Sequence, residues 1–76
     1  MRTIADLKIG QRAFITKFRQ IDLSLKLLEM GCLPGSEVML DFIAPLGDPI
    51  GILVNGYCLA MRKEEAATVE IEISIP

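Results

Sequence analysis

Residues 36 to 61 read SEVMLDFIAPLGDPIGILVNGYCLAM, and this stretch decides the fold. Val38, Leu40, Phe42 and Ala44 alternate with Met39, Asp41 and Ile43, a period of two that marks a strand. Ile50, Ile52 and Val54 alternate in the same way after the APLGDPIG loop. Asn55-Gly56 then separates PIGILV from YCLAM. An Asn-Gly pair between strand-like runs predicts a two-residue hairpin, because both central residues of a type I′ turn need positive φ. Three strands joined by hairpins follow from this stretch alone.

Outward from it, QRAFITKF (11–18) alternates as a first strand, after a lead-in that ends in a turn at Gly10. From Ile21 the period changes to that of a short helix, with Ile21, Leu25 and Leu28 as its apolar stripe and Asp22 as its N-cap. Gly31 follows the last periodic residue and can adopt the left-handed conformation that ends a helix. Pro34 forbids continuation, and Pro34-Gly35 reads as a turn. KEEAA (63–67) reads as one helical turn. TVEIEISI closes the chain with Val69, Ile71, Ile73 and Ile75 facing inward and Glu70, Glu72 and Ser74 facing solvent.

The expected fold is mainly β: one domain over residues 1–76, with five short, mostly antiparallel strands. One short helix follows the first strand, and a helical turn precedes the last. Five such strands curl into a small barrel, which removes unprotected edges.

Composition bounds the function. The chain has 76 residues, 51% of them apolar, and a mean hydropathy of +0.44. A domain this small buries only about 60% of its unfolded surface. It has little room for a deep catalytic cleft. The apolar surplus points to a surface kept for a partner or for self-association. A net charge of −2 argues against nucleic-acid binding. The longest charge-free stretch, residues 49–61, is too short to cross a bilayer, which takes about 20 apolar residues. MRTIADLKIG has no apolar core segment and does not read as a signal peptide, so a cytosolic location is expected.

The sequence has no histidine, so no Ser-His or Cys-His pair can form. Neither GCLPGSEV nor LGDPIG carries the lysine and hydroxyl of a phosphate loop. No enzyme is expected. Cys32 and Cys58 fit no zinc spacing and read as reduced, small apolar residues. The donors that a shared transition-metal site (Fe2+ or Zn2+) would draw on are Cys32, Cys58 and Asp48, and no resident cofactor is expected. Each residue of the GDP loop has a backbone reason to be there. Gly47 lets the chain reverse, Asp48 can accept a hydrogen bond from a turn amide, and Pro49 starts a strand without needing to donate. Pro45 and Leu46 present apolar surface at the loop tip.

The run from Lys26 to Ile71, KLLEMGCLPGSEVMLDFIAPLGDPIGILVNGYCLAMRKEEAATVEI, resembles the FeoA family of small cytosolic proteins of bacterial ferrous iron uptake. The features that carry the resemblance are the leucine-rich helix ending in Gly31, the Leu33-Pro34-Gly35 turn and the APLGDPI loop. Leu59, Arg62-Lys63 and Ala66 before a Val/Ile strand complete the pattern. The likeness covers about residues 21 to 75. It implies an SH3-like barrel and a partner, the FeoB permease, on whose cytosolic GTP-binding region such proteins dock. Cys32 and Cys58 are not part of the family pattern. Leu28, Met30, Pro45, Leu46, Asp48 and Pro49 are the expected partner contacts. The rival reading is a metal-responsive regulatory domain, like the SH3-like domain of iron-dependent repressors.

Overall fold

The structure is a computed structural model, which describes residues 2–20, 25 and 27–74. Its strands and the helical turn before the last strand run in the expected order. A 3-10 turn, Ile4–Asp6, precedes β1 (Arg12–Phe18). Then come β2 (Glu37–Ile43), β3 (Ile50–Val54) and β4 (Tyr57–Met61). The helical turn Lys63–Ala66 leads into β5 (Val69–Ile73). All neighbouring strands pair antiparallel, in the order β4-β3-β2-β1-β5.

The molecule measures 28 × 28 × 26 Å. A flat single-layer sheet would be only about 10 Å thick, the face-to-face spacing of packed sheets. This sheet therefore wraps around its own core. Leu59 and Met61 of β4 and Val69 and Ile71 of β5 share one apolar cluster with Ala13, Ile15, Val38, Leu40 and Ile52. No ladder joins β4 to β5 among the described residues, so the barrel is a wrapped sheet rather than a closed ring.

Two bulges change which side chains face the core. In β1, Ala13 and Ile15 point inward. The register then shifts between Ile15 and Lys17, which lets Phe18 pack against the core. In β2, Val38 and Leu40 are buried, but a second shift between Leu40 and Phe42 removes Phe42 from the inward face. Strict alternation from Val38 to Ala44 fails at that point, because a bulge inserts one residue and flips the side chains beyond it. Phe42 instead lays its ring over Gly51, where any side chain would collide with it.

The end of the helix is described, while Ile21 and Asp22 of the expected stripe and cap lie outside the described residues. Leu25 and Leu28 are exposed, and the residue that enters the core is Leu27, 1% exposed. The helix stop explains this choice. Gly31, with φ 84°, donates its N–H to the Leu28 carbonyl (3.0 Å), and Cys32 donates to the Leu27 carbonyl (2.8 Å). These two bonds make a Schellman motif, in which the residue after glycine packs beside the residue five before it. Leu27 and Cys32 are that pair, and both are buried in the core.

The final strand also departs from simple alternation. Val69 and Ile71 face inward and Glu72 faces solvent as expected, but Glu70 is buried. Thr3 bridges to Glu70 along the outer edge of β5, and the Arg19 Nε donates to Glu70 Oε2 at 2.9 Å. A carboxylate read as a solvated face is the buried half of an ion pair.

Candidate functional site

The loop between β2 and β3 is a built structure. Gly47 N–H donates to the Ala44 carbonyl (2.7 Å), and Ala44 N–H donates to the Pro49 carbonyl (3.0 Å). Pro45 and Leu46 occupy the two central turn positions, and Gly47 leaves the turn with φ 90°. The Asp48–Pro49 peptide is cis. Leu46 stands 97% exposed at the tip, the most exposed large apolar side chain among the described residues.

Asp48 does accept a backbone hydrogen bond, but from outside its own loop. Its Oδ1 takes the Lys63 N–H at 2.9 Å. Lys63 opens the helical turn, whose first amides have no partner within the helix. The neighbouring Arg62 N–H donates to Glu65 Oε1 at 2.9 Å. The Asp48 and Glu65 carboxylates thus cap the same helix start from two sides. The Lys63 ammonium lies beside Gly47. Asp48, Pro49, Ala60, Met61, Arg62 and Glu65 line an open cleft of about 460 Å³ there. The loop is therefore latched to the segment between β4 and β5, and its tip projects from a fixed base.

The six expected contact residues do not form one surface. Pro45, Leu46, Asp48 and Pro49 sit at the start of β3. Leu28 and Met30 lie at the helix end, which the Asn55 Nδ2 fixes to the β3–β4 turn by donating to the Gly31 carbonyl at 2.6 Å. That turn is at the other end of the five-residue β3, about 16 Å away at ~3.3 Å per residue. Met30 instead adjoins Tyr57 and Glu29, around a small depression of about 230 Å³. Tyr57, 62% exposed, is a surface residue that sequence reading passed over. Its position directly after Asn55-Gly56, at the mouth of a tight hairpin, was the available signal. Asn55 has φ 50° and Gly56 φ 80°, as the type I′ turn requires.

The three metal-donor candidates are not gathered. Cys32 is in the core, Asp48 is at the loop base, and Cys58 is exposed on β4 beside Asp41, with Sγ 3.6 Å from Asp41 Oδ2. Burial pushes the Cys32 thiol up from its usual range. The Cys58 thiol is also raised, by desolvation first and then by the hydrogen bond and negative charge of Asp41. Among the described residues, no three His, Cys, Asp or Glu side chains are grouped as a metal would need. Among the described residues, the three expected donors do not come together as one metal site.

A wrapped five-stranded sheet with short helical turns and a firmly based apolar loop defines the class: a small SH3-like domain. The FeoA domain family matches residues 2–73, and the chain belongs to that family. It is similar to the solution structure of FeoA from Chlorobium tepidum, at 33% identity and a TM-score of 0.89 over 95% of this chain and 70% of that one. It shares the fold of Stenotrophomonas maltophilia FeoA, a procaryotic SH3 domain protein crystallised with zinc. That match has 23% identity and a TM-score of 0.84 over 95% of this chain and 91% of that one. Among curated proteins it is 31% identical over 71 residues to a Porphyromonas gingivalis fusion of Fe(2+) transport protein A with the Fe(2+) transporter FeoB. The match takes in 92% of this chain but spans only 8% of the length of that fusion protein.

Proposed function

We propose that this protein is a non-catalytic accessory factor of ferrous iron uptake. In this reading it works as a single domain in the cytoplasm, docks on the cytosolic GTP-binding region of a FeoB permease, and meets the membrane only through that partner. The observation that carries the reading is the Pro45-Leu46 tip. Pro45 and Leu46 together present exposed apolar surface at one loop tip. Here it is displayed by two loop hydrogen bonds and the Asp48–Lys63 latch, which lowers the ordering cost of binding. The joining of the same kind of domain to FeoB in the P. gingivalis fusion supports the choice of partner.

In this reading Pro45 and Leu46 make the contact, while Asp48 and Pro49 hold the loop in shape. Leu28 and Met30, with Tyr57, form a second apolar surface at the far end of β3. A pull-down of the cytosolic region of FeoB tests the assignment. Leu46→Ser should abolish capture, and Met30→Ser should leave it intact. No capture by the wild-type chain at tens of micromolar, or capture unchanged by Leu46→Ser, refutes it. An anaerobic titration with ferrous iron separates this role from metal sensing, since only a sensor takes up the ion.

A further inference from the structure

The two edges of the sheet are finished differently. The outer side of β5 is covered: Thr3 bridges to Glu70, and the Ile71 N–H donates to the Arg2 carbonyl at 3.0 Å. β5 also carries two charges, Glu70 and Glu72. The outer side of β4 has no such cover among the described residues. Tyr57–Met61 reads YCLAM, with no charge and no proline, and it pairs with β3 without a bulge. Charge, proline and bulges are the devices by which sheets protect an exposed edge, and β4 has none of them.

The register shows which backbone groups this edge offers. Val54 and Tyr57 close a two-residue hairpin and therefore exchange hydrogen bonds. Hydrogen-bonded and non-bonded pairs alternate along an antiparallel ladder. Leu59 and Met61 thus also turn their N–H and C=O groups toward β3, while Cys58 and Ala60 turn theirs outward. The next residue offers nothing further, because the Arg62 N–H is taken by Glu65 and its carbonyl accepts the Ala66 N–H. The free edge is two donors and two acceptors, on Cys58 and Ala60.

We propose that β4 pairs antiparallel with β4 of a second copy of this chain, about a two-fold axis at Leu59. In that register Cys58 exchanges hydrogen bonds with Ala60 of the other copy, and Ala60 with Cys58. All four free groups are satisfied, whereas sliding the pair by two residues in either direction leaves some unpaired. The same register sets Arg62 opposite Gly56, so no like charges face each other across the pair. The strand is self-complementary, which is the condition for a two-fold interface. A contact this short belongs to the weak class that buries less than about 1,200 Å².

Cys58 reports on the register. In this pairing the two Cys58 residues are diagonal neighbours, about 7–8 Å apart. That is beyond the ~6.8 Å Cα separation a disulfide tolerates. A short bis-maleimide should therefore link the full-length chain into a covalent dimer at high concentration, while oxidation alone gives little, and Cys58→Ser should abolish the product. Ala60→Pro removes the outward N–H without touching the β3 ladder and should cut the yield by about tenfold. Ala60→Lys, which charges the edge without constraining the backbone, should do the same if the proline variant does not fold. A chain that sediments as a monomer at high concentration and gives no linked product overturns the proposal. So does a yield that neither substitution lowers.

Discussion

Gly51 and Phe42 are coupled tightly enough to be tested by a double-mutant cycle. Gly51 lies in β3 directly across from Phe42, and a Cβ added there would enter the space of the Phe42 ring. Nothing else demands glycine, since Gly51 does not have positive φ. On backbone grounds alone, Gly51→Ala should stabilise by about 0.4–1 kcal/mol through the unfolded chain. Overpacking costs about 1–3 kcal/mol where the neighbour must move. Phe42 is 39% exposed, so it can swing outward, and it would then lose the contact that covers β3. Of the roughly 200 Å² an aromatic side chain can bury, about 60% is in place, worth ~3 kcal/mol at 25 cal/mol per Å². The ring would give up part of that. The expected net effect of Gly51→Ala is a loss of about 1–2 kcal/mol, a drop in Tm of ~4–16 °C for a domain this small. In a Phe42→Ala background the same change should become neutral or slightly stabilising, a coupling of at least ~1 kcal/mol. Urea unfolding of the four proteins measures it. A Gly51→Ala protein as stable as wild type, or an equal loss in both backgrounds, would show that the ring does not sit over this glycine.

Three further perturbations follow from the same packing. Leu27→Ala should cost about 2–5 kcal/mol by leaving a cavity beside Cys32, whereas Leu25→Ala at the exposed neighbour should cost less than ~0.5 kcal/mol, both read by denaturant midpoint. Asp48→Ala should destabilise by about 0.5–2 kcal/mol by stripping the Lys63 amide of its cap, and Asp48→Asn, which keeps an acceptor, should recover most of it. The Arg19 hydrogen bond holds the Glu70 carboxyl below its usual range, against the opposing effect of desolvation. A lowered folded pKa means that the pair's stabilisation is complete above the unfolded value of about 4.3 and is lost as pH falls through the folded value. Arg19→Met should flatten the fall in Tm below that pH, and an unchanged acid profile would count against the pair.

Much of the architecture was open to reading because it rests on local chemistry. Asn55-Gly56, Gly31 and Pro34-Gly35 are turn and cap residues whose backbone requirements are written in the residue itself. The period of two through Ile50, Ile52 and Val54 held, since β3 is the central strand of its three-strand segment and pairs on both sides without losing its face. The period failed at Phe42 and Phe18, where bulges shift the register. A bulge is set by the fit between two strands, and neither strand's own residues announce it. The 3-10 turn at Ile4–Asp6 was passed over although Thr3 and Asp6 carry a capping-box spacing, with the Thr3 N–H donating to Asp6 Oδ2 at 2.9 Å.

The candidate site divides along the same line. That Leu46 occupies a loop tip, and that Gly47, Asp48 and Pro49 each serve the backbone, followed from residue type and order. Which amide Asp48 would cap depended on Lys63, fifteen residues further on, being brought beside it. The separation of Leu28 and Met30 from the loop followed from β3 running its length between them. The burial of Glu70 required Arg19, fifty-one residues earlier, to arrive opposite it. Sequence alone thus determined the turns, the helix stop at Gly31 and the number of strands, because each of these is satisfied within a few residues. Tertiary structure alone decided the faces, the partners of the charged groups and the edge of β4 that is left uncovered among the described residues. Those depend on which strands meet, and that is settled by the packing of the whole sheet around its core.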